Sequence, residues 1–77
     1  MPHYMLRVKA PNMSYLEHAK ARHIIEARSL EDATYQADNI IDNHYFRLKH
    51  ATMELFDESG LADKCTSDED WESRRQR

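Results

Sequence analysis

At 77 residues the chain is one domain, and a chain of that size buries only about 60% of its unfolded surface. With 32% charged residues and a mean hydropathy of −0.91, it has a small core and a large solvated surface. No apolar run approaches the roughly 18 residues needed to span a bilayer, no signal-peptide core is present, and the single Cys65 rules out an intramolecular disulfide or a cysteine-based zinc site. A cytosolic, non-membrane protein is therefore expected, and two prolines with one glycine argue against a disordered chain. Residues 1–56 hold seven Lys/Arg and seven Asp/Glu; residues 57–77 hold four and seven, so the whole net charge of −3 lies in the C-terminal part.

His3 to Ala10 alternates, with Tyr4, Leu6, Val8 and Ala10 on one face and Met5, Arg7 and Lys9 on the other, the period of a half-buried strand. Pro11-Asn12 ends it. Glu17 to Ala27 reads as a second strand, with Ala19, Ala21, His23, Ile25 and Ala27 on one face and His18, Lys20, Arg22, Ile24 and Glu26 on the other. A helix from Ser14 to Arg28 competes with it, because Leu16, Ala19, His23 and Ala27 are also roughly helical and small residues weaken a strand. The clearest element follows. Leu30, Ala33, Ala37, Ile40, Ile41 and His44 make one apolar stripe of a helix capped by Ser29, with Glu31 and Asp32 in the first turn, where the helix dipole favours acids.

Tyr45 and Phe46 are expected to plug the end of the core. Leu48 to Asp57 is a third strand, Ala51, Met53 and Leu55 facing the helix and Thr52, Glu54 and Phe56 facing away. Asp57 to Gly60 is a turn using the only glycine, and Leu61 to Thr66 is an optional short fourth strand. From Asp68 to Arg77, acids come first and Arg74, Arg75 and Arg77 last, the order that suits a short helix. So short a helix is marginal alone, so Trp71 must dock on the body or on a partner. The expected architecture is α+β: a small antiparallel sheet, β-β-α-β in order 2-1-3, with one helix on one face. Residues 1–66 form the domain and 67–77 a charged C-terminal segment.

Two surfaces are candidates for binding. The acidic residues Asp57, Glu58, Asp68, Glu69 and Asp70 would form a strip that docks on a basic groove, with Trp71 as its anchor. The outward sheet face would carry Arg7, Lys9, Lys20 and Arg22, a basic patch of the kind that meets nucleic acid or an acidic protein surface. Phe56 is its only outward aromatic, a thin platform for stacking bases. None of the five histidines falls at a metal-ligand spacing, and no cluster of carboxylates rises from an apolar pocket. A chain with a one-helix core also has little room for a substrate cleft. A non-enzyme with no cofactor and no metal is expected.

His23-Ile-Ile-Glu-Ala-Arg-Ser-Leu-Glu-Asp-Ala33, followed by a helix and then Ala51-Thr-Met-Glu-Leu-Phe56, resembles an arrangement in small phage-encoded proteins. Strand, Ala-x-Ser-Leu-x-x-Ala helix entry, helix and strand occur in some type I anti-CRISPR proteins, and a phage inhibitor of host RNA polymerase is similar. The likeness covers residues 20–56. It implies a stoichiometric inhibitor in the host cytoplasm that occupies a surface of a large nucleoprotein machine such as the Cascade surveillance complex, with no chemistry of its own. Two alternatives stand beside it: a nucleic-acid-binding module using the basic sheet face, and a bacterial domain that dimerises through the exposed face or edge of its sheet.

Overall fold

The alternation at the start of the chain forms strand β1, His3–Lys9, in a computed structural model that describes residues 2–75. After it come helix α1, Tyr15–Lys20; strand β2, Arg22–Glu26; helix α2, Leu30–His44; strands β3, Thr52–Asp57, and β4, Gly60–Thr66; and helix α3, Glu72–Arg75. The fold is α+β. All the strands pair antiparallel in one four-stranded sheet of order β2-β1-β3-β4. The expected order 2-1-3 is present, with β4 added beside β3 as a full partner.

The sheet buries one face. Leu6, Val8, Ile25, Met53, Leu55 and Cys65 point from it into the core, where they meet Ala33, Thr34 and Ala37 of α2. Leu30, Ile40 and Ile41 close the same stripe from the partly buried side. Burial pushes the Cys65 thiol up to about 12, helped by the charges of Asp38, Asp63 and Asp70, so this cysteine is an inert core residue at neutral pH. No described helix is long and apolar enough to cross a membrane.

The second element departs from the expected strand. Ser14 and Glu17 make a complete capping box: the Ser14 hydroxyl accepts from the Glu17 backbone N–H, and the Glu17 carboxylate accepts from that of Ser14. That cap nucleates α1 over residues 15–20, and extended pairing begins only at Arg22. The two competing readings of this stretch are each right for one half of it. Lys20 and His18 consequently lie on α1 and leave the sheet face, and His18 Nε2 reaches the Ala10 carbonyl at 3.2 Å.

α2 begins where Ser29 predicts. Its hydroxyl accepts from Asp32 N–H at 3.2 Å, and the Asp32 carboxylate returns a bond to Arg28 N–H, one residue before the cap. After α2, Tyr45 packs on the core but Phe46 stays exposed, so only the first of the two closes the core. The third strand starts later than Leu48, because His50 takes a left-handed φ of 57° and breaks the extended run. The β3–β4 hairpin turns at Gly60, φ 122°, with Ser59 N–H on the Asp57 carboxylate.

The C-terminal segment belongs to the same packed body. Trp71 is 1% exposed and is the largest side chain of the core. Its indole N–H donates to Asp38 Oδ1 at 2.9 Å. Arg74 donates to Asp38 Oδ2, Thr34 Oγ1 and Asp70 Oδ1 and lies over the Tyr35 ring, 4.6 Å from its centroid. Burial opposes the Arg74 charge, but Asp38 and Asp70 outweigh it and hold the guanidinium pKa above its ordinary value. The helix itself is shorter than expected, and Arg77, placed in it by the sequence pattern, lies outside the described residues.

Candidate interaction surface

Two rows of side chains cross the face of the sheet that α2 leaves to solvent. Cross-strand pairing sets Ile24, Met5, Phe56 and Leu61 side by side, one from each strand in the order β2, β1, β3, β4. Ile24 is 71% exposed and Leu61 52%, at the two ends of this apolar row. Beside it runs a charged row, Arg22, Arg7, Glu54 and Lys64. On its other side Glu26 faces His3.

Leu61 reaches this face through an irregularity in the ladder. Phe56 pairs with Leu61 and Leu55 with Asp63, so Ala62 is the extra residue of a bulge. Without that residue, strict alternation would put Leu61 on the same side as buried Asp63 and Cys65. The bulge turns it outward and completes the apolar row.

The basic residues of this face are partly consumed by it. Arg7 donates to Glu54 Oε1 through Nε and Nη2, at 3.1 and 2.9 Å, and its guanidinium lies over Phe56 at 4.8 Å. Lys9 Nζ is 3.5 Å from the same oxygen. Burial works against the Glu54 charge, yet Arg7 and then Lys9 outweigh it and hold the carboxyl below its usual range. Arg22 carries no such acid partner among the described residues. Of the expected basic patch, then, Arg7, Lys9 and Arg22 share the sheet face and Lys20 is absent from it; of the three on the face, Arg22 alone lacks an acid partner among the described residues.

The expected acidic strip does not form one surface. Asp57 and Glu58 sit at the turn of the β3–β4 hairpin, whereas Asp68, Glu69 and Asp70 follow the far end of β4. Some six residue pairs separate them, roughly 20 Å at strand rise. Asp70 is tied to Arg74 at 3.2 Å and Glu69 to Arg75 at 2.8 Å, while Asp68 has no cationic partner among the described residues. Trp71 faces inward and cannot anchor a partner.

Comparison with family models, with curated proteins and with solved structures found no match.

Other clusters are structural in character. No group of three or more His, Cys, Asp or Glu side chains among the described residues could hold a metal ion. His23 and His44 stack with ring centroids 6.3 Å apart, and His23 is hydrogen-bonded to the Tyr45 hydroxyl. Burial first, and the charge of His44 second, hold the His23 pKa below its ordinary 6.5. The unfolded chain therefore takes up this proton first as pH falls. Stability contributed by neutral His23 is present above pH 6.5 and is lost as pH falls through 6.5 toward the folded-state value. Urea midpoints measured on descending pH should drop across that window, and His23→Gln should flatten the drop. A wild-type midpoint that stays constant there would contradict this role.

Sequence reasoning found Met5, Arg7, Lys9, Arg22, Ile24, Glu54 and Phe56 on this face. Leu61 and Lys64 escape it, because the pattern over 61–66 reads only as an optional short strand and a bulge cannot be seen in alternation. It also retained Lys20, although Ser14-Tyr-Leu-Glu17 carried the capping signal that removes it.

Proposed function

We propose that this protein acts without chemistry of its own, by binding another protein surface through the uncovered sheet face. The observation that supports this reading is the apolar row Ile24, Met5, Phe56 and Leu61, which crosses all four strands and is flanked by charge on both sides. An apolar stripe rimmed by polar groups is the composition of a docking site rather than of a solvated sheet. Arg7 is held by Glu54 and lies over the Phe56 ring, so part of the surface is ordered before any partner arrives.

The specific form proposed is a phage or mobile-element inhibitor of the anti-CRISPR kind, occupying a host nucleoprotein complex such as type I Cascade in the cytoplasm. In this form docking passes from the acidic C-terminal strip to the sheet face, since the strip is divided and largely paired within the chain. The nucleic-acid alternative is weaker, because Glu54 offsets one of the two charges of Arg7 and Lys9, and Lys20 lies on α1.

Interferometry with purified type I Cascade and, in parallel, with DNA and RNA oligonucleotides tests the proposal. Saturable binding to the protein complex with no low-salt binding to free nucleic acid is expected. Binding to oligonucleotides that falls steeply with salt, in the absence of Cascade binding, would replace this reading with the nucleic-acid one.

A further inference from the structure

We infer that, in the free protein, the uncovered sheet face is covered by a second copy of the chain, packed face to face with its strands running opposite to those of the first. This rests on the reading of that face as the docking surface and names its occupant. The two-fold axis lies along the apolar row. Ile24, Met5, Phe56 and Leu61 then each meet their own counterparts, as an isologous interface requires.

The charges decide the orientation. On this face β2 presents Arg22, Ile24 and Glu26 at alternate positions, a cation and an anion on either side of the axis. Reversing the strand places Arg22 of each copy against Glu26 of the other, twice per dimer, and it gives unpaired Arg22 an acid. Turning the axis along the strands instead would set Arg22 against Lys64 of the second copy, a like-charge contact. Glu54 does not oppose the favoured arrangement, since Arg7 and Lys9 already neutralise it.

Size is consistent with a weak dimer. Four strands at about 4.8 Å and seven residues at about 3.3 Å give a face of roughly 19 by 23 Å, or about 440 Å² in projection. Two such faces bring the interface close to the roughly 1,000 Å² that separates specific contacts from casual ones. Two sheets so packed stand about 10 Å apart, the layer spacing of a β-sandwich.

Sedimentation equilibrium of the full chain tests this. The wild type should show a concentration-dependent monomer–dimer equilibrium. Arg22→Glu and Glu26→Arg, at exposed positions, each set like charges against like and should weaken the dimer by about tenfold or more. An equal mixture of those two variants should associate again as a heterodimer. Leu61→Asp should weaken it too, whereas pairing along the free edge of β2 would leave that variant dimeric. Circular dichroism and thermal melts verify that each variant is folded. A wild type that stays monomeric, a mixture that does not associate, or a dimeric Leu61→Asp overturns the inference. A monomeric wild type that still binds Cascade would sink the second copy and leave the docking reading intact; a dimeric wild type with no Cascade binding would do the reverse.

Discussion

Trp71→Ala is expected to cost about 3–5 kcal/mol of folding stability, the range for deleting a large aromatic from a core. Domains of this size sit near the lower end of the usual span of about 5–15 kcal/mol, so the variant should keep only a small part of its stability and unfold at a far lower urea concentration than the wild type. The cost has two parts. Removing the buried indole opens a cavity beneath α2, and removing its N–H takes a hydrogen bond from Asp38. Trp71→Phe separates them: it keeps most of the apolar volume and loses the donor. Because Arg74 still holds the Asp38 carboxylate, this milder change should cost about 1–2 kcal/mol. Urea unfolding of the three proteins measures both differences. A Trp71→Ala midpoint equal to that of the wild type would mean that residues 67–75 are detachable from the body.

Asp63→Ala is expected to cost about 2–4 kcal/mol, for a different physical reason. Asp63 is 4% exposed and carries no cationic partner in direct contact; it is held by hydrogen bonds. Oδ1 accepts from the Lys64 and Ser73 backbone N–H groups, at 2.9 and 3.2 Å, and Oδ2 accepts from the Ser73 hydroxyl. These bonds join the middle of β4 to α3, so the carboxylate acts as a cap supplied by the sheet. Alanine leaves those donors without an acceptor in a place water reaches poorly. Asp63→Asn retains one carbonyl oxygen and should lose about 1 kcal/mol. Thermal melts of both variants check the order; an alanine variant that melts with the wild type would remove Asp63 from the account.

The architecture was readable where periodicity and caps agreed. In β1 the apolar spacing matches the buried face residue for residue, and in α2 it matches except at Thr34, which is buried though polar, and His44, which closes the expected stripe but is exposed; Ser29 marks the helix entry. β2 was half readable: Ala21, Ile25 and Ala27 are buried as the alternation says, but a short capped helix precedes them and takes Ala19 and Lys20 with it. Local alternation cannot show a bulge, which is why Leu61 was not assigned to the open face. Nor can it show where a charged segment finds its counter-ions. The sequence leaves open whether Trp71 docks on the body or on a partner because Asp38, which receives both Trp71 and Arg74, lies more than thirty residues earlier in the chain. Trp71 is spent on that long-range pairing and Asp70 on its local tie to Arg74, which disqualifies both as a docking site, and the sheet face is then the surface where one apolar row crosses every strand of the sheet.

Binding of Ile24→Asp and Asp68→Lys to purified type I Cascade, measured side by side with the wild type, tests that conclusion most directly. Both positions are exposed, so neither change should disturb the fold. Loss of at least about tenfold in affinity for Ile24→Asp, with Asp68→Lys essentially unchanged, is the predicted result. Unchanged binding by Ile24→Asp together with loss of binding by Asp68→Lys would contradict it and return the docking site to the acidic C-terminal segment.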